Sequence, residues 1–154
     1  MSSYDAVDRA LLGALAQDRR ATVVALADRL GLSRNTVQAR MSRLESSGAF
    51  LSFERSIDPA PLGFPLEAFI SVHVRQKELA EAVAEIARIP EVIQAHGLSG
   101  SVDLLVRVVC RDAPDLFRID GEILAIDAVE RTETSLAMGE LIPYRLQPLL
   151  ERKA

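Results

Sequence analysis

Two hydrophobic periods run along this chain, and the change from one to the other divides it. Over DAVDRALLGALAQ (5–17), Val7, Leu11, Ala14 and Leu15 recur at helical spacing, which predicts an amphipathic helix. Asp18-Arg19-Arg20 then breaks the pattern, and Thr22 is placed as N-cap of a second helix with Val23, Leu26, Ala27 and Leu30 on one side. Gly31 suits a left-handed C-cap, Leu32 fills the turn, and Ser33 caps a third helix that runs to Ser46-Ser47-Gly48. The loose alternation of AFLSFERSID predicts one short strand or a small wing. DPAPLGFP (58–65) holds three prolines and a glycine, a stiff non-helical linker.

Beyond the linker the period becomes two. LEAFISVHV (66–74) places Ala68, Ile70, Val72 and Val74 on one strand face. KELAEAVAEIARI (77–89) returns to helical spacing with Leu79, Val83 and Ile86, and Pro90 stops it. EVIQAHGL (91–98) and VDLLVRVV (102–109) read as strands joined by a turn at Ser99-Gly100-Ser101, and the second, apolar on both faces in places, is expected to be central. Asp112 caps a further helix with Pro114 in its first turn, running to about Ala125, and AVERTETSLAM (128–138) closes the series as a strand. The expectation is an α+β chain. Residues 1–57 form a three-helix, winged helix-turn-helix domain, 58–65 the linker, and 66–154 a ferredoxin-like βαββαβ domain. The tail LIPYRLQPLLERKA fits a strand extension or a short helix.

Composition narrows the chemistry. Of 154 residues, 49% are hydrophobic and none is Trp, so the cores are built of Leu, Val, Ile and Ala. The single cysteine, Cys110, excludes an intramolecular disulfide and a cysteine-rich zinc site, and its apolar surroundings predict a buried thiol. His73 and His96 have no ligand spacing, so no metal, cofactor or catalytic site is expected. The polar N-terminus and the lack of any apolar stretch near roughly 18 residues point to the cytoplasm, with no membrane partner. Charge is divided: residues 1–55 carry eight arginines against six acids, and residues 56–154 ten basic residues against sixteen acids, within a net −4.

The basic half concentrates its chemistry in GLSRNTVQARMSRLE (31–45). At about 100° per residue, Val37, Met41 and Leu44 share a core-facing stripe. Asn35, Ala39, Ser42 and Arg43 lie opposite, with Arg34 and Gln38 on one flank and Thr36 and Arg40 on the other. Two helices joined by a glycine turn form a helix-turn-helix, whose second helix enters the major groove by its N-terminal end. Arg forks onto guanine, and Asn and Gln onto adenine. Ala39 permits close approach, Ser33 and the first helical N–H groups suit a phosphate, and Arg40 and Arg43 are expected on phosphates. The lack of aromatics here argues against single-strand stacking.

The stretch LLGALAQDRRATVVALADRLGLSRNTVQARMSRLESSGAFLSF also resembles the N-terminal half of the Lrp/AsnC (feast/famine) transcriptional regulators. The likeness is carried by Asp8, Asp18-Arg19-Arg20, Leu26-Ala27, Gly31-Leu32-Ser33, Arg40, Arg43-Leu44-Glu45 and Gly48, and continues through DPAPLGF and LSGSVDLLVRV. It implies that the second half is a RAM domain, a ligand-sensing and oligomerisation module. It further implies a homodimer with paired sheets, or a higher even oligomer such as an octamer, on palindromic promoter DNA. An amino acid or related small metabolite is the implied effector, bound beside Ser99, Gly100, Ser101, Val102 and Asp103, with Thr132, Thr134 and Ser135 as the opposite wall. After the glycine, Ser101 and Val102 stand where the family commonly has an acidic or Asn residue and an aromatic. Two rival readings stay open. One is a DNA-binding regulator without an effector. The other is a metabolite-binding or enzymatic ferredoxin-like protein, a role that this fold also serves.

Overall fold

The computed structural model describes residues 4–151, which form two compact units. One comprises residues 4–56 with 142–151, the other residues 57–141.

In the first unit, α1 (Ala6–Gln17), α2 (Val23–Leu30) and α3 (Arg34–Ser46) enclose a core of Leu11, Ala14, Leu26, Ala27, Val37 and Leu44. The local signals act as the sequence suggests. Thr22 Oγ1 accepts from Ala25 N, and Ser33 Oγ from Thr36 N at 3.1 Å, each satisfying an N–H that a helix start leaves open. Gly31 adopts φ 65°, ψ 33°, a conformation that favours glycine, and turns the chain between α2 and α3. No strand forms in AFLSFERSID (49–58). Phe53–Ser56 is instead a single 3-10 turn, so the expected wing is absent from the described residues. Phe50, Leu51 and Phe53 are all exposed there, and an isolated apolar alternation with no partner strand to pair with has nothing to hold it extended. The tail forms the short helix α6 (Gln147–Leu150), which packs against α1 and groups with this unit rather than with the sheet. Gln147 lies over Gly13.

The second unit is a ferredoxin-like βαββαβ fold: β1 (Leu66–Val74), α4 (Leu79–Ile86), β2 (Val92–Gly97), β3 (Leu104–Cys110), α5 (Ala113–Leu124) and β4 (Val129–Leu136). The antiparallel sheet has the order β2-β3-β1-β4, which makes β3 and β1 central. Ala68, Ile70, Val72 and Val74 face Ala82 and Ile86 of α4 and Ile119 and Ile123 of α5, all buried. Val83, expected on that stripe, is exposed; the helix turns Ala82 inward instead. This helix also ends at Ile86, four residues before Pro90. Cys110 is buried, and desolvation raises its thiol pKa, which keeps it protonated and unreactive.

Asp112 caps α5 by accepting from Asp115 N at 2.8 Å. Asp115 is itself buried, with Arg111 Nε at 3.1 Å and Arg118 Nη2 at 2.8 Å. The Arg111 contacts, then Arg118, hold its carboxyl well below the usual range, so the charge stays on a buried group that is fully paired.

Candidate nucleic-acid interface and effector loop

The first turns of α3 present Arg34, Asn35, Thr36, Gln38 and Ala39 to solvent. Ser33 Oγ is taken up by its cap and stands 2.8 Å from Thr36 Oγ1. Among the described residues, the side chains of Arg34, Asn35 and Gln38 have no intramolecular hydrogen-bond partner. Three side chains able to read base edges therefore stand ready beside a small alanine on one exposed helix end.

Arg40 and Arg43 sit differently. Both were expected on phosphates, yet both turn back to α1. Arg40 pairs with Asp5 and reaches Asp8 Oδ1 at 3.2 Å, and Arg43 pairs with Asp8 Oδ2. Asp8 is fully buried, and its Oδ2 also accepts from Asp5 N at 3.0 Å in a capping box. A buried carboxylate is costly unless paired, and the two guanidinium groups supply the pairing. A helical wheel of α3 alone cannot show this, because the anion comes from another helix. The missed signal lay in α1: Asp8 shares the apolar face with Leu11 and Leu15, a polar residue where the pattern calls for an apolar one.

The Asp8 N–H, followed by Arg40, lowers the Asp5 carboxyl from its ordinary 3.8 to about 2. A depressed folded-state pKa contributes stability above the unfolded value and loses it as pH falls through the folded one. Thermal midpoints of the helical unit are therefore expected to fall between pH 4 and pH 2 more steeply in the wild type than in Asp5→Asn. Parallel curves would show that Asp5 does not titrate with folding.

In the second unit the Ser99–Asp103 loop joins β2 to β3. Ser99, Gly100 and Ser101 are exposed, and Val102 and Asp103 half-buried. The strand β3 begins at Leu104, opposite Val72, so the ladder has run out at Val74. Asp103 completes it: its Oδ2 accepts from Val74 N at 3.0 Å, and its Oδ1 accepts from Gln76. Asp103 N donates to Val72 O at 3.2 Å, and Leu98 N to Asp103 O at 2.9 Å. The Asp103 carboxylate, expected beside the effector, thus already anchors the loop to β1.

The expected opposite wall does not form as one surface. In β4, Thr132 stands opposite Val72 and Thr134 opposite Ile70, on the helix-covered face, whereas Ser135 stands opposite Phe69 on the other. Side chains alternate along a strand, so a neighbouring pair such as Thr134 and Ser135 cannot line one wall. Thr134 Oγ1 donates instead to Asp120 Oδ1 of α5 at 2.7 Å. Thr134→Val is expected to lose about 0.5–1.5 kcal/mol of stability in a thermal melt. Any amino-acid-induced shift should survive the substitution, and its loss would return Thr134 to the effector site.

A helix-turn-helix with exposed, unpartnered polar side chains on its second helix and a ferredoxin-like domain, carried on one chain, define a two-domain DNA-binding regulator. Residues 5–45 match the AsnC-type helix-turn-helix domain and residues 67–146 the Lrp/AsnC ligand binding domain, and the chain belongs to the Lrp/AsnC family of transcriptional regulators. It is 36% identical over 144 residues to the HTH-type transcriptional regulator AldR of Mycobacterium tuberculosis, covering 91% of this chain and 80% of that protein. It is 34% identical over 138 residues to the proline dehydrogenase transcriptional activator of Rhizobium radiobacter, covering 87% and 88%. The solved structure of E. coli AsnC superposes with a TM-score of 0.85 at 26% identity, covering 96% of this chain and 100% of that one. Among the described residues no helix is long and apolar enough to cross a membrane.

Proposed function

We propose that the protein is a sequence-specific regulator working in the cytoplasm. In this reading Arg34, Asn35 and Gln38 read base edges in the major groove, with Ala39 in close approach. Ser33, Thr36 and the first helical N–H groups lie on the phosphate backbone. The observation that carries this is the freedom of those three base-reading side chains on an exposed helix end. One such helix grips one half-site, so a homodimer, or a higher even oligomer such as an octamer, would supply the second half of a palindromic promoter site. We assign the chain no catalytic reaction.

An amino acid or related small metabolite is the proposed effector, with the exposed Ser99-Gly100-Ser101 turn as its contact. Backbone N–H groups of such a turn suit a carboxylate. Asp103 serves here as the anchor that shapes the turn, through Val74 and Gln76. The ligand would favour one assembly over another, a population shift that needs only unequal affinity for the two.

Fluorescence anisotropy on duplex DNA from immediately upstream of the protein's own coding region tests the reading. It would be run at two salt concentrations, with and without a pool of amino acids. Tight, salt-sensitive binding that exceeds binding to random duplex is expected, together with a shift on adding the pool. Equal affinity for both duplexes would overturn sequence-specific recognition at that site. An unaltered curve with the pool, and no thermal shift with any amino acid, would leave a DNA-binding regulator without an effector.

A further inference from the structure

We infer that Asp8, supported by Asp5, is an intramolecular counter-ion that withholds Arg40 and Arg43 from DNA phosphates and so sharpens the protein's discrimination against bulk DNA. The inference rests on the reading that α3 meets DNA.

Three observations carry it. Asp8 is fully buried on the apolar face of α1, and among the described residues its ionic partners are the guanidinium groups of Arg40 and Arg43. The pairing is balanced, two carboxylates to two guanidinium groups, so this patch adds no net positive charge beside the recognition turn. Arg43 nevertheless keeps 51% of its side chain exposed and Arg40 29%, so both remain within reach of solvent and of a polyanion.

The consequence follows from how DNA binding divides. Phosphate neutralisation gives affinity for every sequence, with counter-ion release as its signature, whereas base contacts separate one sequence from another. Each arginine that meets a phosphate raises binding to operator and random DNA alike. An arginine held by an internal carboxylate neutralises no phosphate and so displaces no counter-ion from the DNA, and to reach a phosphate it must leave a buried anion unpaired. Asp8 therefore lowers the common term and leaves Arg34, Asn35 and Gln38 to set the difference. It is a specificity-determining residue that need not touch DNA.

The test is anisotropy over a salt series on random duplex and on the upstream duplex, using the full chain. The variants are Arg43→Gln, Asp8→Asn, and Asp8→Asn combined with Arg40→Gln and Arg43→Gln. Asn at position 8 retains an oxygen for the Asp5 N–H, removes the charge and replaces the other oxygen, which faces a guanidinium group, by an amide NH2. Wild type and Arg43→Gln are expected to share one log–log salt slope on random duplex. Asp8→Asn should bind random duplex more tightly, steepen the slope by about 0.9 for each arginine released, and lower the operator-to-random ratio. The triple variant should restore the wild-type slope.

A slope flattened by about one unit in Arg43→Gln would mean that Arg43 already holds a phosphate, and would overturn the inference while leaving DNA recognition intact. An unchanged slope and ratio in Asp8→Asn, with only a lower thermal midpoint, would reduce Asp8 to a structural pair and overturn it equally. If circular dichroism shows Asp8→Asn unfolded, the Arg43→Gln slope decides alone. Absence of salt-dependent binding by the wild type to either duplex would remove the DNA reading and the inference with it.

Discussion

Leu44→Ala is expected to melt the helical unit at temperatures where the sheet unit still holds. Leu44 is fully buried at the centre of a core shared with Leu11, Leu26 and Val37. Truncating such a leucine costs about 2–5 kcal/mol, the lost transfer free energy plus the cavity left behind. A core in a unit of this size supplies roughly 3–5 kcal/mol in all. The loss is therefore comparable to the whole stability of the unit. The helical transition at 222 nm should fall by about 10 °C or more. Amide protection in Leu66–Val74 and Leu104–Cys110 should persist, since Ile70, Val106, Ile119 and Ile123 belong to a separate cluster. DNA binding should vanish with the helices. A helical transition within a degree or two of wild type would show that the cavity closes without cost and that Leu44 is not structurally central.

What the sequence made legible follows from how local each cause is. Caps are decided by one side chain and the N–H it meets, so Thr22, Gly31, Ser33 and Asp112 were readable, and so were the helices they bound. The alternation of Ala68, Ile70, Val72 and Val74 was readable because a strand with one covered face needs only period two. The central place of β3 was readable from its apolar residues on both faces.

The misreadings share the opposite cause, a partner distant in sequence. Nothing in RMSRLE reveals that Arg40 and Arg43 would meet Asp8, 32 and 35 residues earlier. Likewise nothing in SGSVD shows that the Asp103 carboxylate would be used by Val74 N, 29 residues earlier. The wing was read from alternation in a segment that finds no partner strand. Thr132, Thr134 and Ser135 were grouped by the family resemblance, although strand geometry sends the last to the other face. The exposure of Arg34, Asn35 and Gln38 was thus legible in the sequence, whereas the pairing of Arg40 and Arg43 with α1 was not.

The double variant Arg34→Ala/Gln38→Ala should cut the preference for operator DNA by about 30-fold or more while leaving the fold intact. Both side chains are exposed and lack intramolecular partners among the described residues. Alanine is the best helix former, so α3 should melt no earlier than in the wild type. Each bidentate base contact is worth about 1–3 kcal/mol of discrimination. The two positions are one helical turn apart, so their losses need not add, and the larger single term sets the floor. At 1.4 kcal/mol per tenfold, a combined loss near 2 kcal/mol already weakens operator binding by about 30-fold. Random duplex should be affected far less, because it offers these side chains no matching base edges. The comparison therefore belongs on both duplexes at one fixed salt concentration, with the ratio as the readout. Equal losses on operator and random DNA would move Arg34 and Gln38 to the phosphate backbone. No loss on either would take recognition away from the first turns of α3, and Asn35 and Ala39 would lose their assigned roles as well.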